Sequence, residues 1–383
     1  MRRLLLICEF PTIYGAEQSM LATLDGVRAA EYDVCVACPP AGLLADTLHR
    51  QGIPVTPFSV RDTDGRRIPL EQLRQMLAAV ITSTQPHLVH ANSLSMSRLA
   101  GPVTEALRLP SIGHVRDIVG LSRTAISAVN RIERLLAVSD ATRRFHVNAG
   151  LNAGRTFVLH NGVCLSEFQP RTPTGLLHKE LRLPRDFRLL TSVGQIGIRK
   201  GLDVLLRAAE LVVTKHDDVA FVIVGQRQSA KAEAVDFERQ LAAAAAAEPL
   251  TGRVFMLGRR HDVAAILNES TLLVHAARQE PFGRVLLEAA ASGTAIVATD
   301  VGGTREVFGA QQDLLLSPSR GGIIVPPDDP DAMAEAILKS LDAPDHLAEM
   351  RVASRRWAEQ ARDIRDVNQQ LLSHYDAVLE RGR

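Results

Sequence analysis

Residues Thr271–Gly303 read TLLVHAARQEPFGRVLLEAAASGTAIVATDVGG. Two short apolar runs, TLLVHAA and TAIVATDVGG, flank a stretch with a helical pattern. Runs that are continuously apolar belong to strands covered on both faces, and strands joined by a helix are parallel. Pro281 is expected at the first helical position, where a missing N–H costs nothing. Glu280 precedes this helix and Glu288 lies within its apolar run VLLEAAA, with seven residues between the two acids. A buried acid is costly unless something pairs with it, so the unit raises a question about ligands as well as fold.

The same rhythm extends in both directions. FRLLTSVGQ, a helix from Lys200 to Lys215, VAFVIVGQ and RVFMLGR come before it. GGIIVPP and an almost wholly helical tail from Asp331 to Glu380 come after. Earlier in the chain RLLLICEF, DVCVACPP, VTPFSV, HLVHANS, SIGHVRD, RLLAVSD and TFVLHNG read as strands. Helices such as Ala16–Ala30 and Leu70–Thr84 lie between them. The rhythm loosens in CLSEFQPRTPTGLLHKELRLPRD, which places a boundary near Gln169–Arg185. The expectation is an α/β protein of two doubly wound domains, residues 1–175 and 176–360, with a last segment 361–383. Ligands of such sheets bind beyond the carboxyl ends of the strands, so the strand-to-helix turns carry the search for a site.

Totals bound the function. A chain of 383 residues exceeds one typical core. Hydrophobic content of 46% with 23% charge is globular composition. The balance of 44 basic against 43 acidic residues argues against a dedicated nucleic-acid binder. No apolar run approaches the roughly 20 residues of a membrane-spanning helix. MRRLLLICEF soon meets Glu9 and Pro11, so it reads as a first buried strand and not a signal peptide. Cys35 and Cys38 are three apart on a strand and face opposite sides, so they cannot share a metal. With Cys8 and Cys164 they read as plain cysteines of a cytoplasmic protein.

Three turns of the second half could carry chemistry. SVGQIGIRKGLDVLLRAAELV leaves a strand at Gly194 and enters a helix with Arg199, Lys200 and Gly201. Cations and unbonded N–H groups at a helix start attract phosphate, although a solvated basic helix start has the same sequence. No Walker A spacing is present. In the second turn, amides near Phe282 and Gly283 follow Glu280, and Glu288 needs a donor. Sugar hydroxyls are good donors; local backbone or an arginine would serve equally. The third turn ends in Gly302 and Gly303, followed by Thr304 and Glu306. Paired glycines admit a ligand close to backbone, and they also suit a tight turn.

VLHNGVCLSEFQP, SVGQIGIRKGLDVLLRAAELV, FVIVGQ, VFMLGRRHDVAAILNESTLLVHAARQEPFGRVLLEAAASGTAIVATDVGGTREV and GGIIVPPDDPDAMAEAI resemble, in that order, one large enzyme family. It is the glycogen-synthase-like retaining glycosyltransferases, the group 1 glycosyltransferases of GT-B fold. The first half is similar more weakly, through IYGAEQSM, GHVRD and AVSDATRRF. The resemblance implies two Rossmann-like domains facing a central cleft, the first for the acceptor and the second for a nucleotide sugar. It also implies that the last helix packs back on the first domain. Glu280 matches the acid near the donor sugar's hydroxyls, and Glu288 the acid on the nucleotide ribose. Lys200 matches the lysine holding the diphosphate, and Phe282 and Gly283 match amides beside that sugar and phosphate. Gly15 matches the loop glycine that closes over the diphosphate, and His114 a histidine near the transferred sugar. The family commonly has Arg after the strand glycine, where this chain has Gln195; Arg199, beside Lys200, is the candidate to supply that charge.

What the resemblance implies is a metal-independent, retaining hexosyltransferase without a cofactor. Its donor is a nucleotide-diphosphate sugar of UDP, GDP or ADP type, and its acceptor a glycan, a lipid-linked molecule or a small molecule. Two other functions fit the same fold: a nucleotide-sugar epimerase and a non-catalytic nucleotide-sugar-binding protein. Asp62-Thr63-Asp64 mimics a metal-binding D-x-D, but it stands beside Gly65 and reads as a polar surface turn. His114 taken alone is a strand-end histidine. The segment Arg116–Arg144 carries six arginines among apolar residues. It suits peripheral contact with an anionic membrane or a phosphorylated acceptor, and equally a solvated helix face.

Overall fold

The computed structural model describes residues 1–309 and 321–380. Contacts divide the chain into two compact units, residues 1–162 joined by the chain from Ile364 onward, and Val163–Asp363.

The first unit runs β1 (Arg2–Ile7), α1 (Gly15–Ala29), β2 (Tyr32–Cys38), α2 (Leu43–Arg50), β3 (Val55–Pro57), α3 (Leu70–Thr84) and β4 (Leu88–Ala91). It continues with α4 (Leu94–Ala106), β5 (Ser111–Val115), α5 (Arg123–Val129), β6 (Arg134–Ala137), α6 (Asp140–Asn148) and β7 (Thr156–Val158). The strands form one parallel sheet in the order β3-β2-β1-β4-β5-β6-β7. Successive side chains of a strand point to opposite faces. Leu4, Leu6 and Cys8 accordingly enter one apolar cluster, and Leu5 and Ile7 the other. Cys38 joins the first cluster while Cys35 packs against the second, so the C-x-x-C cannot close on a common ligand.

The second unit runs α7 (Leu176–Leu181), β8 (Arg188–Val193), α8 (Leu202–Val213), β9 (Val219–Val224), α9 (Ala232–Ala245), β10 (Val254–Met256) and α10 (Val263–Glu269). It continues with β11 (Leu272–His275), α11 (Arg284–Ala291), β12 (Ala295–Thr299), α12 (Thr304–Val307), β13 (Gly322–Val325), α13 (Pro330–Asp342) and α14 (Pro344–Ala361). Its sheet is parallel, in the order β10-β9-β8-β11-β12-β13. In both units the order reverses next to the unit's first strand, between β1 and β4 and between β8 and β11. The turns beyond such a reversal diverge and leave room for a ligand.

The last helix, α15 (Ile364–Leu379), belongs to the first unit and packs on α1. Val367, Leu371, Tyr375 and Val378 recur at helical spacing and all enter the cluster of Leu4 and Leu6. The units part at Gly162–Val163 and Asp363–Ile364, where the sequence reading set residues 175 and 360. Residues 163–175 are irregular, but they are held by the second unit: Phe168 is buried, and Asn268 bonds both Gln169 and Arg171. Their loss of apolar rhythm marks a chain lying on the second unit, which explains the offset.

Candidate functional site

In the second unit the first two turns meet directly. Beyond β8 the chain makes a single helical turn, Ile198–Lys200, and α8 begins only at Leu202. Gly201 separates the two at φ +60°, and a Cβ there would lie 1.9 Å from the carbonyl oxygen of Ala276. Only glycine admits that approach. The helix expected from Lys200 is therefore interrupted, and the interruption carries Lys200 to the loop after β11. Arg278 fastens the same contact, donating to the Ile198 carbonyl at 2.8 Å and to Asp203 at 2.7 and 2.8 Å. Its own N–H bonds the Arg199 carbonyl at 2.9 Å.

As a result Lys200 Nζ lies 2.5 Å from Glu280 Oε2, and His275 Nε2 lies 3.0 Å from the same oxygen. All three side chains are buried or nearly so. Burial by itself would raise the Glu280 pKa. The Lys200 charge and the His275 hydrogen bond outweigh it and hold the carboxyl well below the usual carboxylate range. Because a carboxylate only accepts, His275 carries a hydrogen on Nε2. Burial lowers the pKa of His275. The third turn joins the group, as the Gly303 N–H donates to the Glu280 carbonyl at 3.0 Å.

The loop from Ala276 to Gly283 does not begin with a helix at Pro281. Gly283, at φ +98°, has a left-handed backbone that a right-handed helix excludes, so α11 starts at Arg284. Phe282 is buried in this loop, with the Arg362 guanidinium 5.9 Å from its ring centre. One turn into α11, Arg284 bonds Glu288 Oε1 at 2.9 Å. The arginine reading of Glu288 is thus realised at one oxygen, while Oε2 has no hydrogen-bond partner among the described residues. Arg199 Nη2 lies 3.3 Å from Gln195 Oε1, so its charge is brought to the position next to the strand glycine.

The first unit places Gly15 as the first residue of α1. The Tyr14 N–H before it donates to Glu17 Oε2 at 3.1 Å, which caps the helix. His114, on β5, is buried among His90, Arg116 and Asn92, and these residues line one polar pocket with Ser19 and Asn161. His90 Nε2 is 2.7 Å from His114 Nδ1, and His90 Nδ1 is 2.7 Å from the Tyr375 hydroxyl. Arg116 Nη2 approaches His114 Nδ1 at 3.2 Å and is steered by Asn92 and Asn161.

His90, His275, Tyr375 and Arg278 were not among the residues singled out from the sequence. The signal for the two histidines was a His inside an otherwise apolar, buried strand, since such a group must find a partner. The Arg116–Arg144 segment forms no single basic face. Arg116 turns into the pocket, Arg131 pairs with Glu105 at 2.8 Å, Arg134 bonds His374 at 2.8 Å, and Arg144 pairs with Asp140 at 3.0 Å. Asp62 folds onto the backbone N–H groups of Asp64 and Arg66 at 3.0 and 2.8 Å, as a surface turn does. Among the described residues no group of three or more His, Cys, Asp or Glu is placed to hold a metal ion, and no helix is long and apolar enough to cross a membrane.

Two family models match the chain: Glycosyl transferases group 1 over residues 175–357 and Glycosyl transferase 4-like domain over residues 14–162. The GPI3 subunit of phosphatidylinositol N-acetylglucosaminyltransferase from Saccharomyces cerevisiae is 30% identical over 183 residues, 47% of this chain. The matched stretch spans only 38% of that yeast protein. A phosphatidyl-myo-inositol mannosyltransferase of Mycobacterium tuberculosis is 29% identical over 306 residues, 77% of this chain and 74% of that one. The crystal structure of HepE from Anabaena, in complex with UDP and glucose, is similar at TM-score 0.84 and 22% identity. It covers 98% of this chain and 100% of HepE, and that likeness shows the GT-B fold, two Rossmann-like α/β units in one chain. Family models on both units, relatives along most of the sequence and a shared fold lead to one conclusion: the chain belongs to the group 1 glycosyltransferases.

Proposed function

We propose that the protein transfers a sugar from a nucleotide-diphosphate sugar to an acceptor hydroxyl, with retention at the anomeric carbon and without a metal ion. The observation that carries this reading is the meeting of Lys200 and Glu280 at 2.5 Å beyond the reversal of the second sheet. Lys200 and Arg199 supply the positive charge that a diphosphate requires, and Glu280 supplies an acceptor for sugar hydroxyls. The unpartnered oxygen of Glu288 suits a ribose hydroxyl. For His114 we assign a hydrogen bond to the transferred sugar, and for Gly15, Phe282 and Gly283 backbone contacts to the donor. The UDP bound by HepE and the mannosyl and N-acetylglucosaminyl transfers named for the relatives support a hexosyl donor.

In the reaction the bond between the anomeric carbon and the diphosphate oxygen breaks, and the electron pair leaves with the diphosphate. Lys200, Arg199 and the backbone of the turn stabilise that developing charge. The acceptor oxygen attacks from the same face, and its proton passes to the departing phosphate oxygen. The lipid acceptors in the relatives' names favour a lipid-linked acceptor and a place at the cytoplasmic face of a membrane.

Thermal unfolding with UDP-, GDP- and ADP-sugars tests the donor. A ligand at about 100 times its Kd adds roughly 2.7 kcal/mol, a shift of a few degrees. One base is expected to give that shift, and Glu288→Ala to abolish it. No shift with any of the three would overturn the donor site. Conversion of the sugar with no acceptor present would show an epimerase instead.

A further inference from the structure

We propose that His90 and Tyr375 are positioning residues that hold His114 as a neutral imidazole with its hydrogen on Nε2. In that form His114 is a fixed donor to a ligand oxygen in the pocket of the first unit. The proposal rests on the reading of His114 as a sugar contact.

The hydrogen count allows one arrangement. A guanidinium has only N–H groups to offer, so the His114 Nδ1 that Arg116 approaches at 3.2 Å must be an acceptor. Burial, and then the neighbouring Arg116 charge, push the His114 pKa well down. His114 is therefore neutral, and its single ring hydrogen is on Nε2. His90 Nε2, 2.7 Å from that same bare nitrogen, must donate to it. His90 is neutral too, with its pKa lowered to about 3 by burial and then by Arg116. Its Nδ1 is consequently bare and accepts the Tyr375 hydroxyl at 2.7 Å. Each hydrogen in the series Tyr375, His90, His114 points the same way.

His114 Nε2 bonds no described residue, yet it is not among the polar atoms sealed from solvent, and His114 lines the pocket. The group it meets there must bring a lone pair. A hydroxyl or phosphate oxygen qualifies and an ammonium does not. Arg116 marks the bare nitrogen of His114, and Tyr375, on α15, marks that of His90. Without its O–H the His90 ring is free to take the other tautomer, which would set two bare nitrogens against each other.

Selective ¹⁵N-histidine labelling reads the tautomer directly in the ligand-free protein, and loss of a signal in His114→Gln identifies the residue. The wild-type protein is expected to show a single Nε2–H form for His114. In His90→Leu only the longer Arg116 contact still holds Nδ1, so the His114 ring should loosen and its tautomers mix, lowering kcat about tenfold, the loss of one hydrogen bond of about 1.4 kcal/mol. His90→Gln, whose amide N–H replaces the His90 donor, should keep the single form and stay within about threefold of wild type in kcat. Tyr375→Phe keeps the buried ring and should give a mixed signal with folding intact. A hydrogen on His114 Nδ1 in the wild type would overturn the proposal, as would an unchanged signal and kcat in His90→Leu. A fixed tautomer together with wild-type transfer in His114→Gln would overturn the sugar contact and leave the tautomer assignment standing.

Discussion

β4 and β11 take the same place in the two sheets, each beside the unit's first strand, and the tetrapeptide LVHA falls on both, at Leu88–Ala91 and, running one residue past β11, at Leu273–Ala276. Their histidines, His90 and His275, are equally buried. Their partners differ in kind. His275 donates to a carboxylate that also meets Lys200, so the second unit buries charge. His90 donates to a neutral imidazole and accepts from a phenol, so the first unit buries none in that series beyond Arg116. The same strand position thus serves two chemistries. On the proposed function, a turn that meets a diphosphate keeps cations and an acid in balance, while a pocket that orients a hydroxyl needs direction more than charge.

The largest expected effect breaks that balance. Lys200→Met leaves Glu280 as a buried, poorly compensated charge, and removing one partner of such a pair costs about 3–5 kcal/mol. Adding Glu280→Gln should recover much of that stability and none of the transfer activity. Urea unfolding of the two variants checks it; equal stability of single and double variants would show that the pair carries no such coupling.

Acid separates the units next. In both clusters the unfolded chain takes up the proton before the folded one, so stability falls as pH falls. The His90 contribution is complete above the ordinary histidine value of 6.5 and is lost as pH drops toward about 3. The Glu280 contribution is complete above 4.5 and is lost only below it. His90→Gln should therefore flatten the stability curve already between pH 6.5 and 4.5, by up to about 1.4 kcal/mol per pH unit. Glu280→Gln combined with Lys200→Met should flatten the curve below pH 4.5 instead, while His275, whose pKa burial also lowers from 6.5, keeps a slope above it. Chemical denaturation at stepped pH decides the matter, and identical curves for the two variants would erase the distinction.

The smallest effect concerns the charge beside Gln195. Arg199→Ala should weaken donor affinity about tenfold, the worth of one charge-assisted hydrogen bond of about 1.4 kcal/mol. Gln195→Arg in the same chain should restore it, because the charge returns to nearly the same point. Titration of the donor measures both; failure of Gln195→Arg to restore binding would mean that Arg199 acts elsewhere.

Much of this was legible in residue order. The apolar runs named the thirteen strands found among the described residues, since a buried parallel strand must be apolar on both faces whatever its neighbours are. Glu280, Glu288 and Lys200 announced themselves as polar groups at strand-to-helix turns. Less legible were the local breaks. Gly201 and Gly283 interrupt or delay helices whose periodicity runs through them, because the close approach to Ala276 and the left-handed backbone are set by chain far away.

By itself the sequence determined the two parallel α/β units, because periodicity and turn chemistry are properties of neighbouring residues, and its motifs resembled the family to which the comparisons then led. Tertiary structure alone decided the partners: His275 with Glu280, Arg278 with Asp203, His90 with His114, and Tyr375 with His90 across 285 positions. A buried polar side chain demands a partner, and the demand is visible in order along the chain. Which group answers it depends on how the strands pair and where the last helix returns, and that is settled only when the sheets close.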